Sequence, residues 1–286
     1  MSESIHEIAV LGAGQMGAGI AQVAAQSGLD VLLVDRSKEI AEQGKSKIQV
    51  ALKKQVEKGK VSQSEVDKIL LSIRTGSGIQ DLNQATLVIE AVTESPELKF
   101  KIFKQLDEAC EKECVLATNT SSISITQIAA QTQRPEKVGG IHFMNPVPLM
   151  KLVEGIRGLQ TSDETFRLIR QVSEKMGKTF VEVKDIPGFV VNRILMPMIN
   201  EAVTTLYEGI ASVEDIDTAM KLGTNQPMGP LQLADFIGLD TCLAIMQVLH
   251  EGFGDSKYRP SPLLKQYVAA GWLGKKSGRG FYRYDV

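Results

Sequence analysis

The stretch that decides the fold is Ile8-Ala9-Val10-Leu11-Gly12-Ala13-Gly14-Gln15-Met16-Gly17. An apolar run enters a G-x-G-x-x-G turn, and Ile20, Val23 and Ala24 follow at helical spacing up to Gly28, which predicts strand, turn and helix. Residues 31–34 read as a second strand ending at Asp35, 18 residues past Gly17. A lone glycine pattern is weak evidence. Between a strand and a helix, with an acid ending the next strand, it is the fingerprint of a dinucleotide pocket. Gly12 permits the tight turn, Gly14 lets backbone N–H groups approach a pyrophosphate at the positive end of the helix, and Gly17 lets helix and strand pack closely. Asp35 would accept hydrogen bonds from the adenosine ribose and repel a 2′-phosphate, favouring NAD over NADP. Arg36 beside it argues the other way, since a guanidinium can hold that phosphate. The alternative is a glycine turn between βαβ elements that holds no nucleotide.

The 286 residues suggest two domains. With 43% apolar and 23% charged residues and a net charge of −2, nothing global points to nucleic acid. The opening residues Met1 to His6 leave no room for a signal segment, and no run of about 18 apolar residues suggests a membrane span, so a cytoplasmic protein is expected. Cys110, Cys114 and Cys242 are odd in number and lack a C-x-x-C pair, which fits reduced, packed thiols and no metal.

Beyond Asp35 a long helix is expected over 38–58, then a capping-box start at Ser62-Gln63-Ser64-Glu65. Lys45, Lys47, Lys53, Lys54, Lys58 and Lys60 make this stretch basic. Such a face is most often simply solvated; the functional reading is a dock for a phosphorylated substrate handle, with Lys54 and Lys58 one turn apart. Residues 86–92 read as a strand, with Glu94 and Lys99 around a helix opened by Pro96. Another strand, 115–118, leads to Asn119-Thr120-Ser121-Ser122, and polar strand ends of this kind line the crevice of a doubly wound sheet.

Residues 138–143 are apolar and end in His142-Phe143-Met144-Asn145-Pro146-Val147-Pro148, after which 151–154 reads as a short strand. The two prolines are expected to hold the connecting loop extended. His142 and Glu154 then lie on neighbouring strands, within reach of a His–carboxylate hydrogen bond. His6 and His250 are read as ordinary structural histidines. Oxidising a secondary alcohol with NAD⁺ removes a proton from oxygen as hydride leaves carbon, so a base titrating near neutrality must touch the hydroxyl. A carboxylate on the other ring nitrogen fixes the tautomer and stabilises the imidazolium. Ser121 and Asn192 can hydrogen-bond the reacting oxygen or its neighbouring carbonyl. Ser, His and Glu also admit a hydrolase, but no G-x-S-x-G elbow surrounds Ser121.

These motifs, with Asp185-Ile186-Pro187-Gly188-Phe189-Val190-Val191-Asn192-Arg193, Asn225-Gln226-Pro227-Met228-Gly229-Pro230 and Gly274-Lys275-Lys276-Ser277-Gly278-Arg279-Gly280-Phe281-Tyr282, run essentially end to end. Together they resemble the L-3-hydroxyacyl-CoA dehydrogenases, most of all the short bacterial branch acting on 3-hydroxybutyryl-CoA. One departure is Met144, where relatives often carry Phe. The resemblance implies a catalytic His142–Glu154 dyad, with Ser121 and Asn192 positioning the acyl-CoA. It implies NAD contacts at the turn (Gly12, Gly14, Gln15, Met16, Gly17) and at Asp35, Glu94, Lys99, Asn119, Asn145 and Lys275. It raises Lys54 and Lys58 to a binding site for the phosphates of coenzyme A, and it makes acetoacetyl-CoA and (S)-3-hydroxybutyryl-CoA the expected substrate pair.

After Pro187 the pattern becomes helical over 189–207, 213–222, 231–249 and 263–270, with Pro197 expected to kink the first helix. The expectation is an α/β Rossmann-type doubly wound sheet over 1–185, which binds NAD, followed by a smaller all-α C-terminal domain over 186–286. The run Ile194-Leu195-Met196-Pro197-Met198-Ile199 carries more apolar surface than one small core needs, which suggests a homodimer through this domain; the plain alternative is a simple helical core. Rival functions are a free hydroxy-acid dehydrogenase of the L-gulonate type and a non-catalytic NAD-binding protein.

Overall fold

The computed structural model describes Ile5 and residues 7–284. The readings of Met1 to Ser4 and of His6 therefore lie outside the described residues. The chain folds into two compact units, Met1–Asp185 and Ile186–Val286.

In the first unit β1 (Glu7–Leu11), α1 (Gln15–Gln26), β2 (Asp30–Asp35), α2 (Lys38–Glu57), α3 (Gln63–Leu71) and β3 (Ile73–Ser77) build one half. Then come β4 (Leu87–Glu90), α4 (Pro96–Ala109), β5 (Val115–Thr118), α5 (Ile125–Ala129), β6 (Val138–Phe143), β7 (Leu152–Arg157), α6 (Asp163–Lys175) and β8 (Thr179–Lys184). The strands form one eight-stranded sheet in the order β3-β2-β1-β4-β5-β6-β7-β8. It is parallel from β3 to β6; β7 runs antiparallel to β6, and β8 parallel to β7. The chain leaves β1 toward β2 and β3, then returns to β4 on β1's other side, the doubly wound arrangement expected from the sequence.

Strands β4 and β5 are buried at every position, as a sheet covered on both faces requires. Ile8 and Val10 of β1 share a core with Ile20 and Val23 of α1 and with Ile169 and Val172 of α6. The alternate residues Ala9 and Leu11 are also buried and point to the opposite face. The capping box at Ser62 and Glu65 and the first-turn position of Pro96 are both present.

The sequence pattern does not announce β3 and β8. Each lies at a sheet edge and mixes polar residues with apolar ones, so its hydrogen bonds come from the neighbouring strand without a continuous hydrophobic run. Helices α5 and α6 are also absent from the sequence reading, and β7 continues to Arg157, past the residues 151–154 expected for it. The loop before β7 is not extended as the prolines suggested. It turns on itself, with the amides of Leu149 and Met150 donating to the Pro146 carbonyl.

The second unit is helical: α7 (Val191–Tyr207), α8 (Val213–Gly223), α9 (Pro230–Ile237), α10 (Leu239–Phe253) and α11 (Pro262–Ala269), around a core that includes Met196, Val203, Leu231, Leu239, Met246 and Leu264. The single helix expected over 231–249 is two, meeting at 98°. Gly238 breaks it with φ of +101°, a conformation that hydrophobic periodicity cannot reveal. Helix α7 begins at Val191, not at 189, because Phe189 takes φ of +50° in the preceding turn. Among the described residues no single helix is long and apolar enough to cross a membrane.

The approach of α1 to β1 is close enough that a methyl group on Gly17 would overlap the Gly12 carbonyl oxygen, which is backbone and cannot move aside cheaply. Gly17→Ala is expected to cost about 2–3 kcal/mol and to lower Tm by roughly 5–10 °C. Gly14→Ala meets nothing within 4 Å and should cost less than about 1 kcal/mol. Thermal melts of the two variants check this; equal Tm values would refute the packing argument.

Candidate active site

At the strand-order reversal beside β1, a cleft of about 830 Å³ opens over the carboxyl ends of the strands, lined by Gly12, Gly14, Asp35, Arg36, Val92 and Lys101 among others. The glycine turn is tied to its neighbours, with the Gly12 amide donating to the Val34 carbonyl (2.7 Å) and the Ala91 amide to the Leu11 carbonyl (2.7 Å). Gly12 has φ of +106°, and a Cβ there would sit 2.7 Å from the Ala91 carbonyl oxygen. At Gly14 a side chain would project into the cleft, so its absence leaves room for a ligand. The first turn of α1 carries no acidic residue and no side-chain cap, which leaves its positive end available to an anion. Asp35 is held by the amides of Ala13 (to Oδ2, 2.7 Å) and Arg36 (to Oδ1, 2.7 Å) at the cleft wall. An open glycine, an uncapped helix start and a fixed carboxylate fit a dinucleotide.

Beside the cleft, Glu94 gathers the loop after β5. Its Oε1 accepts from the hydroxyl of Thr120 (2.6 Å) and from the amides and hydroxyls of Ser121 (2.9 and 3.2 Å) and Ser122 (3.1 and 3.0 Å). Burial pushes the Glu94 carboxyl up, but the Lys99 charge and these hydrogen bonds outweigh it and hold its pKa below the ordinary value. Lys99 is fully buried, its Nζ 2.6 Å from Glu90 Oε1 and 3.5 Å from Glu94 Oε2. Glu90 also accepts from the Thr118 hydroxyl and the Val92 amide.

His142 on β6 and Glu154 on β7 are directly opposite one another in the antiparallel register, both buried, with His142 Nδ1 2.8 Å from Glu154 Oε2. Asn119 accepts the Phe143 amide at 2.8 Å, so the polar end of β5 touches the strand that carries His142. The Gln15 amide group donates to Asn145 Oδ1 at 3.1 Å, joining the glycine-turn helix to the loop after β6. Lys178 clasps that loop through the carbonyls of Val147 (2.6 Å) and Met150 (2.8 Å).

Met16 is partly buried against the sheet core. Lys54 and Lys58 stand exposed at the end of α2, one turn apart, whereas Lys45 of the same stretch bonds the Ile73 carbonyl. Asn192 is buried in the first turn of α7, and Lys275 lies over the Phe236 ring (4.6 Å), both in the helical unit. Among the described residues no group of His, Cys, Asp and Glu is arranged to hold a metal ion, and the three cysteines are free and buried. Sequence reasoning passes over Glu90, Thr118 and Lys178. The available signal was a carboxylate closing the apolar strand β4, with a cation nine positions on.

Residues 7–186 match the family model for the 3-hydroxyacyl-CoA dehydrogenase NAD binding domain, and residues 188–284 the model for the C-terminal domain of the same family. The chain is 57% identical over 281 residues, covering 98% of both chains, to a probable 3-hydroxybutyryl-CoA dehydrogenase of Bacillus subtilis. It is 55% identical, covering 99% of this chain and 97% of the relative, to a 3-hydroxybutyryl-CoA dehydrogenase of Bradyrhizobium diazoefficiens. The crystal structure of (S)-3-hydroxybutyryl-CoA dehydrogenase PaaH1 from Ralstonia eutropha superposes with a TM-score of 0.96 at 50% identity, covering 99% of this chain and all of the other. The glycine-turn cleft thus belongs to a chain that, on these matches, is a member of the 3-hydroxyacyl-CoA dehydrogenase family, an NAD-binding oxidoreductase.

Proposed function

We propose that this enzyme interconverts (S)-3-hydroxybutyryl-CoA and acetoacetyl-CoA, with His142 as acid/base and Glu154 as its orienting carboxylate. The observation that carries the proposal is the buried 2.8 Å contact between His142 Nδ1 and Glu154. The carboxylate draws the proton to Nδ1, which leaves Nε2 as the acceptor for the substrate's hydroxyl proton. As that proton arrives, Glu154 stabilises the imidazolium across the bond it already makes. NAD, when bound, supplies the acceptor for the hydride released from C3. Ser121 and Asn192 are each assigned a hydrogen bond to the acyl-CoA, as the resemblance implies. In the reverse direction the imidazolium returns its proton to the ketone oxygen.

Gly12, Gly14, Gln15, Met16 and Gly17 of the turn would hold the dinucleotide, Gly12 by shaping the turn with its amide given to the Val34 carbonyl, and Asp35 would take the adenosine ribose. Glu94, Asn119, Asn145 and Lys275 complete the proposed set, while Lys99, expected from the resemblance to touch the dinucleotide, is fully buried and backs Glu94 instead. The Asp35 carboxylate at the cleft wall supports NAD over NADP, because a 2′-phosphate would meet a like charge. The exposed pair Lys54 and Lys58 is proposed to meet the phosphates of coenzyme A. We place the enzyme in the cytoplasm as a homodimer built through the helical unit; its free buried thiols suit a reducing compartment. Of the apolar run that suggested the pairing, Met196 and Ile199 belong to the helical core, and Ile194, 67% exposed, is the residue proposed to meet the second copy.

Three outcomes are expected. His142→Gln should lower kcat by about 10²–10⁴-fold and leave the Kd for NADH, read by fluorescence, nearly unchanged; full activity would refute the assigned base. The wild-type kcat/KM should favour acetoacetyl-CoA over free acetoacetate, and Lys54→Ala/Lys58→Ala should raise KM for the thioester about tenfold with kcat intact. Equal use of the free acid would instead support a hydroxy-acid dehydrogenase. Sedimentation at micromolar concentration should give a dimer and Ile194→Asp a monomer; a monomeric wild type would exclude the pairing.

A further inference from the structure

The buried pair Glu90 and Lys99 takes no part in the proton or hydride steps. Both residues are 0% exposed. Burying two charges repays its desolvation cost only when the geometry is well satisfied, and an apolar pair of the same volume often serves stability as well. We propose that Glu90 and Lys99 are positioning residues, whose ion pair sets the Glu94 carboxylate and, through it, the hydroxyl of Ser121. This rests on the reading of Ser121 as an acyl-positioning group.

The geometry runs in one direction. Glu90 cannot swing, because its Oε1 accepts from Lys99 Nζ (2.6 Å) and the Val92 amide (2.7 Å) and its Oε2 from the Thr118 hydroxyl (2.6 Å). Lys99 reaches across to Glu94 Oε2 at 3.5 Å, fixing the inner oxygen of that carboxylate. A carboxylate is planar, so the outer oxygen is fixed with it, and that oxygen receives Thr120, Ser121 and Ser122. The amide of Thr120 donates to the Thr118 hydroxyl (3.2 Å), closing the circuit back to Glu90. With only 1% of its side chain exposed, Lys99 has almost no surface to offer a ligand, and its influence passes through Glu94, whose side chain is 36% exposed. One ammonium between two carboxylates leaves a single net negative charge, carried at the more exposed end.

Glu90→Gln tests this mildly, since Lys99 and Glu94 remain a balanced pair and the fold keeps its shape. Lys99, released from Glu90, should draw Glu94 off the loop. In the ligand-free protein, hydrogen exchange at the Ser121 and Ser122 amides should quicken about tenfold. With acetoacetyl-CoA and NADH, kcat should fall about tenfold while KM changes less than about threefold. In a Glu94→Gln background the same substitution should change kcat less than about twofold, because the two act in series. Unchanged exchange at Ser121 and Ser122, or losses that multiply in the double variant, would overturn the proposal. Glu90→Gln/Lys99→Met, which removes the buried charges together, is read by the same exchange measurement should the single variant fail to fold. A wild type inert toward acetoacetyl-CoA would count against the proposed reaction, and the exchange result would still decide the positioning role.

Discussion

The first unit turns on the close approach of α1 to the turn after β1, where Gly17 lies against the Gly12 carbonyl with no room for a methyl group. Much else depends on that packing. It brings the first turn of α1 over the carboxyl end of β1, next to Asp35 at the end of β2 and to Val92 after β4. A helix start without an acidic residue or a side-chain cap is unfavourable in isolation, and it becomes useful where an anion can complete it. The sheet meanwhile reverses its strand order at β1, so the cleft needs no dedicated insertion.

A second kind of order comes from carboxylates that act as acceptor hubs. Glu94 collects the loop after β5, and Asp185 does the same for the start of α5, accepting from the Ser124 hydroxyl and from the amides of Ile125 and Thr126. Loops that carry chemistry have few apolar contacts to hold them. A buried or half-buried anion receiving several short donors supplies the missing rigidity, and it does so only if its own charge is offset. Lys99 provides the offset for Glu94.

The parts of the molecule that were legible in the sequence share a property: their signal is local. The glycine turn, the acid ending β2, the capping box at Ser62 and the change to helical periodicity after Pro187 each fall within a window of a few turns. The polar clusters at Asn119 to Ser122 and at His142 to Asn145 were readable as strand ends because apolar runs precede them. The edge strands β3 and β8 were not readable, since a strand bonded on one side can tolerate polar residues that blur its pattern. The break at Gly238 was hidden for the opposite reason: the apolar period on either side is good, and one glycine conformation alone decides the turn.

By itself, then, the chain determined the class of fold, the dinucleotide fingerprint and the residue types of an acid/base site, because each follows from short-range periodicity or from what a side chain can donate and accept. Only the folded arrangement decided the pairings. Glu154 stands opposite His142 because β7 reverses direction against β6 in one register, and a shift of a single residue would have turned it to the other face. Lys99 is withdrawn from the surface because β4, α4 and the loop after β5 converge on Glu90 and Glu94. Such contacts join residues far apart along the chain, and no local pattern encodes the distance between them.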